Sequence, residues 1–211
     1  AKASMTRDSH RADAAILQES SGFHAMCKKL LGENVAVLEQ TIQLLDPRQV
    51  SRAVDLLRRS RRVVCMGQGS SMVLSEEAWT LFSTVSPKFL FVPDSHLQMN
   101  TLALMDPDEL VLFFSYSGST RDFQDLLEVA RQRQVKVVLV SRFPKSPGGQ
   151  LADVVLQCGA DEGPLQAGSV NARMAQLFVL DVLFQEFCMR APEETEQSRE
   201  QIAEAVARKH L

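Results

Sequence analysis

Leu110-Val111-Leu112-Phe113-Phe114-Ser115-Tyr116-Ser117-Gly118-Ser119-Thr120 is an apolar run that breaks into a hydroxyl-rich turn. Consecutive apolar residues from Leu110 to Phe114 are what a parallel strand covered on both faces requires. Ser115, Ser117, Ser119 and Thr120 then set hydroxyls around Gly118. Thr120 stands as the N-cap of a helix predicted over Arg121–Gln132, and the free amides and dipole of a helix start favour an anion. Ser-x-Ser-Gly-x-Thr between a strand and a helix is therefore a candidate phosphate cradle, with hydroxyl and amide donors but no fixed positive charge. Ser and Gly also fill such turns for conformational reasons alone, so the rest of the chain must decide.

Working outward, strands and helices alternate. Arg62–Met66 reads as a first strand, ended by Gly67-Gln68-Gly69-Ser70-Ser71 and followed by a helix with Val73, Leu74, Ala78, Leu81 and Phe82 on one face. Lys88–Val92 is a second strand, and Pro93-Asp94-Ser95-His96 turns into a helix reaching about Met105. Beyond the central stretch come a fourth strand, Val135–Val140, a Pro- and Gly-rich loop over Phe143–Gly149, and a fifth strand, Val154–Cys158. A Gly-rich loop carrying Glu162 then leads to a long apolar helix over Ser169–Arg190, and a charged helix over Glu193–Lys209 closes the chain. Toward the start, Phe23, Cys27, Leu30, Val35, Leu38, Ile42 and Leu45 recur at helical steps, and Asp46-Pro47 caps a second helix to about Arg59. No strand pair is close enough for a hairpin. The pattern predicts an α/β fold, a doubly wound five-stranded parallel sheet flanked by helices, with an N-terminal helical extension. The expected organisation is a polar segment over 1–22, a helical linker and dimerisation region over 23–60, the sheet domain over 61–190 and a C-terminal helix over 191–211.

Such sheets bind ligands outside the carboxyl ends of their strands. The strand ends here are Gly67–Ser71, Asp94–His96, Ser115–Thr120 and Ser141–Ser146, the loops where polar residues collect. Gly67-x-Gly69 invites a dinucleotide reading, but Met72 holds the place of the third glycine, and the glycines more simply allow close backbone approach. His96 is the histidine among these loops and a candidate ligand contact, against the alternative of a capping residue. Glu162 is either an exposed loop acid or a general base. No His/Cys/Asp cluster has metal-ligand spacing and no G-x-S-x-G elbow is present, so neither a metal, a cofactor nor a Ser-His-Asp hydrolase is expected.

Composition narrows the classes further. A net charge of −3 and pI near 5.9 argue against a chain that binds nucleic acid by itself. Cys27, Cys65, Cys158 and Cys188 are widely spaced in apolar contexts, which predicts buried free thiols in a reducing compartment. With neither a hydrophobic signal core nor an apolar run of about 18 residues, a cytoplasmic location is expected. The first residue is Ala rather than Met, consistent with a fragment or a processed chain.

Together these residues resemble the SIS (sugar isomerase) domain. The matching pieces are Gly67-x-Gly69-x-Ser71, Ser115-Tyr116-Ser117-Gly118-Ser119-Thr120, and Lys145-Ser146-Pro147 followed by Leu151-Ala152-Asp153. The resemblance implies that Ser115, Ser117 and Thr120 hold the phosphate of a phosphosugar, with Ser71 and Ser146 as further contacts. Within the superfamily the chain is most similar to the C-terminal effector domain of RpiR-type transcriptional regulators. That likeness rests on Asp94-Ser95-His96-x-Gln98, on the helix pair leading into Arg62-Val63-Val64, and on Ala172-Arg173-Met174-Ala175-Gln176 continuing to Asp181-Val182-Leu183-Phe184. Gln134 stands where the family usually has Gly, and Ser141-Arg142-Phe143-Pro144 replaces a Thr-Asn-like turn. Residues 1–22 do not hold the helix-turn-helix such regulators carry. The expectation is a homo-oligomeric sensor, dimer or tetramer, that meets DNA only through a domain outside this chain and has no membrane contact. Its expected ligand contacts are Gly69, Ser71, His96, Ser115, Ser117, Gly118, Ser119, Thr120, Ser146 and Glu162. The alternative is an aldose–ketose phosphate isomerase with Glu162 or His96 as base. A purely structural partner domain would leave the polar strand ends unexplained.

Overall fold

The computed structural model describes residues 20–159 and 169–207. Helix α1 (Ser20–Leu44) is followed by α2 (Pro47–Arg59), β1 (Val63–Gly67), a 3-10 turn (Gly69–Ser71), α3 (Met72–Ser83), β2 (Phe89–Phe91) and α4 (Ser95–Ala103). The chain continues through β3 (Leu110–Phe114), α5 (Arg121–Gln132), β4 (Lys136–Ser141), α6 (Pro147–Leu151), β5 (Val154–Gln157), α7 (Val170–Met189) and α8 (Pro192–Ala207). All strand pairs are parallel, in the order β2-β1-β3-β4-β5. The doubly wound sheet expected from the alternation is present.

The strand pleat divides the core in two. Leu110, Leu112 and Phe114 of β3 face α2, α3 and α7, together with Val63, Cys65, Val138 and Val140. Val111 and Phe113 point the other way, to α4 and α5, beside Val64, Met66 and Leu139. Every residue of β1 and β3 is buried, so the continuous apolar runs are required by burial on both faces. Helix α2 starts where Asp46 Oδ1 accepts from Arg48 N (2.9 Å), has Pro47 in its first turn, and buries Val50, Ala53, Val54 and Leu57 at helical spacing. Phe113 stacks on Phe123 of α5 (4.1 Å), and Phe82 of α3 on Phe89 of β2 (4.3 Å), fastening a helix to each face.

Two expectations need correcting. The Pro- and Gly-rich stretch is not all loop: residues 147–151 form α6, because Ser146 Oγ accepts from Gly149 N (3.1 Å) and Pro147 suits a first turn. Cys27 is exposed, since the first half of α1 lies beyond the cover of the sheet domain; Cys65, Cys158 and Cys188 are buried as expected. Gln134, in the position where Gly was anticipated, takes a left-handed φ of 58°.

The chain leaves β1 for the edge strand β2 and returns to pair β3 on the other side of β1. Between β1 and β3, therefore, successive connections run in opposite directions. That is the topological switch point, where the loops leaving two adjacent strands diverge and leave a crevice.

Candidate functional site

A cleft of about 320 Å³ opens at that point. Gln68, Gly69, Ser70 and Ser71 after β1 form one wall; Ser115, Tyr116, Ser117 and Thr120 after β3 form the other; Ala172, Arg173 and Gln176 from the start of α7 close the third side. Phe113 and Phe114 provide an apolar floor.

The β3 loop is held by its own polar groups. Ser115 is buried, and its Oγ accepts from Gly118 N (3.1 Å), folding the turn back on the strand end. Gly118 has φ +60°, and its carbonyl accepts from Gly148 N (2.9 Å) in α6. Ser117 Oγ accepts from Ser119 N (3.3 Å), while Ser119 Oγ donates to Ser117 O (3.0 Å). Ser141 Oγ donates to Tyr116 O (3.0 Å). The Ser117 and Thr120 side chains thus stand at a fixed rim.

Thr120 occupies the N-cap position of α5, but its side chain makes no capping bond, unlike Asp46, Asp94, Ser146 and Ser169 at other helix starts. The Thr120 side chain lines the cleft, and a helix start leaves first-turn amides without intrahelical partners. Asp122 in the same turn is exposed and does not line the cleft.

The cradle gains a charge that its own loop does not contain. Arg173, in the first turn of α7, is the charged side chain among the described residues that line the cleft. Helix α7 is set in register by Ser169 Oγ, which accepts from Ala172 N (3.1 Å), and by buried Gln176, whose Nε2 donates to Val140 O (3.3 Å). Gln68 Nε2 is shielded at the cleft wall with no hydrogen-bond partner among the described residues, a donor waiting for an acceptor.

Of the residues singled out from sequence, Gly69, Ser71, Ser115, Ser117 and Thr120 line the cleft. Gly118, Ser119 and Ser146 shape the loop around it: Ser146 caps α6 and packs against Gly118. His96 is exposed on the first turn of α4 and does not line the cleft. In the same motif the buried residue is Gln98, whose Nε2 donates to Gly67 O (3.0 Å) and Val92 O (2.8 Å) and so ties the ends of β1 and β2. Glu162 lies outside the described residues. Sequence reasoning assigned no cleft role to Gln68, Tyr116, Arg173 or Gln176; the signal for Arg173 and Gln176 was their spacing on one face of a helix start, visible only once that helix is placed. Among the described residues, no group of three or more His, Cys, Asp or Glu could hold a metal ion, and no helix is long and apolar enough to cross a membrane.

A strand-end cleft lined by hydroxyls, a helix start and a guanidinium is chemically suited to a small polar anion. The SIS domain model matches residues 56–185, more than half of the chain, and the protein belongs to that family. It is 27% identical over 161 residues to the uncharacterised HTH-type transcriptional regulator YbbH of Bacillus subtilis, covering 76% of this chain and 57% of the relative. The chain spans about half the length of the curated relatives it matches. The Vibrio vulnificus NanR protein complexed with ManNAc-6P superposes with a TM-score of 0.81 at 25% identity, over 86% of this chain and 69% of that one. The sugar isomerase domain of an RpiR transcription factor from Sphaerobacter thermophilus shares the fold, with a TM-score of 0.76, 21% identity, and coverage of 83% of this chain and 97% of that one.

Proposed function

We propose that this chain is the phosphosugar-sensing effector part of an RpiR-type transcriptional regulator, acting in the cytoplasm as a homo-oligomer. It controls DNA binding through a helix-turn-helix domain outside this sequence. The observation that carries the reading is the hydroxyl-lined cleft at the β1/β3 switch point, with Ser117 and Thr120 of the β3 loop and Arg173 of α7 on its walls. Ser117, Thr120 and the first-turn amides of α5 hold the phosphate, Arg173 adds a charge-assisted contact, and Gly69, Ser71 and Gln68 meet the sugar. Ser115, Gly118, Ser119 and Ser146 keep the loop in shape, while Glu162 stays a candidate for the sugar end. Sensing requires that the ligand bind two arrangements of the regulator unequally, because equal affinity shifts no equilibrium. The likeness to NanR, solved with ManNAc-6P, supports a phosphorylated sugar as the ligand class.

The test is thermal stability against a panel of sugar phosphates and the corresponding free sugars. A ligand at a hundred times its Kd adds about 2.7 kcal/mol, which for a chain of this size raises Tm by roughly 5–10 °C. A sugar phosphate should stabilise the wild type, and neither the Ser117→Ala/Thr120→Ala variant nor Arg173→Met should respond at the same concentration. Recovering the sugar unchanged after incubation supports a sensor; recovering its aldose or ketose isomer supports the enzyme instead. No shift with any phosphate would overturn the cradle.

A further inference from the structure

The turn after β4 holds an aromatic ring out of the core beside the cleft. Phe143 is 48% exposed, and its ring meets that of Tyr116, which lines the cleft, edge to face with centroids 5.7 Å apart. The Arg142 guanidinium stands 5.9 Å from the centre of the Phe143 ring. A single exposed phenylalanine on a protein surface needs no explanation. This one is fixed in place. Phe143 N donates to Ser141 Oγ (3.3 Å), Arg142 N to Tyr116 O (3.1 Å), Ser146 N to Phe143 O (3.0 Å) and Gln157 Nε2 to Arg142 O (3.3 Å). Beneath the turn lies Gly149 of α6, where a Cβ would stand 3.0 Å from Phe143 O and closer still to Pro144 O. The backbone already rests on α6 and has no room to sink and bury the ring.

Strand order places this turn on the far side of the phosphate loop. Strands β1, β3 and β4 are neighbours, so the Gln68–Ser71 wall, the Ser115–Thr120 loop and the Arg142–Phe143 turn stand side by side, with the phosphate loop in the middle. A phosphate monoester carries one organic substituent and fills one flank; a phosphate chain substituted at both ends fills both. Neither Arg142 nor Phe143 lines the cleft, so a group that meets them lies beyond its volume of about 320 Å³. We propose that the ligand is a sugar joined through a diphosphate to a nucleoside, with the diphosphate at the start of α5, the sugar against Gly69 and Ser71, and the base stacked on Phe143. Resting on the cradle of the proposed function, this assignment names what the phosphate is attached to. Helix starts hold diphosphates as well as single phosphates. The carbonyls of Tyr116, Arg142 and Phe143 are already bonded within the protein, so the turn offers a π-face and a cation but few acceptors for sugar hydroxyls. That favours a base over a second sugar ring.

Calorimetric titration of the chain separates the two readings. The probes are the 1- and 6-phosphates of glucose, mannose, galactose and N-acetylglucosamine, set against the uridine, guanosine, adenosine and thymidine diphosphate derivatives of the same sugars. A nucleotide sugar should bind about tenfold or more tighter than the corresponding sugar phosphate. Phe143→Ala should remove that advantage and leave sugar phosphate affinity unchanged, while Phe143→Tyr, which keeps a π-face, should retain it. Ser117→Ala/Thr120→Ala should weaken both classes. Phe143 is half exposed, so Phe143→Ala should keep the wild-type melting transition. Sugar phosphates that bind as tightly as every nucleotide sugar uphold the proposed function and overturn the nucleoside. Absence of binding by either class overturns both. A nucleotide sugar whose advantage survives Phe143→Ala overturns the stacking surface. If Phe143→Ala instead sediments as a smaller species with its affinities unchanged, the ring is a subunit contact and the proposal fails.

Discussion

The geometry of the β3 turn makes a quantitative claim about Gly118. Replacing it with Ala forces an L side chain to hold φ +60°, at about 1–2 kcal/mol for the left-handed region. The new Cβ would also enter the shell of Ser146 Oγ, 3.1 Å from Ser146 Cβ and 3.3 Å from Ser141 Oγ. Ser146 cannot simply rotate away, because its hydroxyl caps α6, and losing such a cap costs about 1 kcal/mol. Gly118→Ala should therefore cost about 2–3 kcal/mol, partly offset by the stiffer unfolded chain. Gly69→Ala is the internal control. Its φ is +57°, but nothing lies within 4 Å of where its Cβ would go, so it bears the conformational cost alone, about 1 kcal/mol after the same offset. Urea denaturation of both variants, with matched m-values, measures the difference directly. Gly118→Ala/Ser146→Gly should cost about 1 kcal/mol less than the sum of its single changes. Equal losses for the two alanine variants, or strict additivity in the double variant, would refute the claim that Ser146 and Gly118 are locked together.

Other consequences are simpler to state. Gln134→Gly should stabilise the domain by about 1 kcal/mol, seen as a Tm higher by roughly 2–4 °C, because exposed Gln134 occupies a left-handed conformation that Gly adopts freely. Cys27, exposed on α1, should react rapidly with a thiol reagent. Cys65, Cys158 and Cys188 should react only on unfolding, burial pushing the Cys65 and Cys188 thiol pKa values up and so favouring the neutral form. Lys88 Nζ donates to Arg58 O (2.9 Å), and burial, then the neighbouring Arg58 charge, lowers its pKa below the ordinary lysine value of 10.5. The unfolded chain then holds more protons than the native one just below 10.5, so this group's contribution becomes more favourable as pH rises through that window. The Tm difference between wild type and Lys88→Met should accordingly move in favour of the wild type from about pH 8 to about pH 10, and a constant difference would exclude the effect.

The sheet was legible because its strands are buried on both faces. Val63–Met66, Leu110–Phe114 and Val137–Val140 need no neighbour to be read as strands, and Asp46-Pro47 announces a helix by its own chemistry. The β3 half of the cleft was equally local, since Ser115, Ser117, Gly118 and Thr120 lie within one turn. What escaped depended on distant elements. Arg173 reaches the cradle only because α7 crosses behind β4, where Gln176 bonds Val140, and local sequence says nothing of that crossing. In Asp94-Ser95-His96-x-Gln98 the sequence left His96 open between a ligand contact and a capping residue; the structure leaves His96 exposed on α4 and turns Gln98 into the strand ends. Cys27 had apolar neighbours, but those neighbours face away from the domain.

The placement of α7 connects ligand to assembly in physical terms. Its first two turns supply Arg173 and Gln176 to the cleft, and its middle supplies Phe178 and Val182 to a hollow beside Ile42 of α1. Gly159, at the end of β5, is fixed to α1 through Thr41, and a Cβ there would press on Val37 O at 2.8 Å and Thr41 Oγ1 at 2.9 Å. Packed interfaces of this kind move by discrete rearrangement rather than smooth deformation. Under the proposed function, a phosphate held beside Arg173 sits on the helix against which α1 packs. If the two arrangements of the homo-oligomer differ in the position of α7, ligand affinity and association strength must be linked, and linkage makes each act on the other by the same factor. The proposed sensor thus rests on one helix, α7, which lines the cleft with Arg173 and Gln176 and meets α1 through Phe178 and Val182.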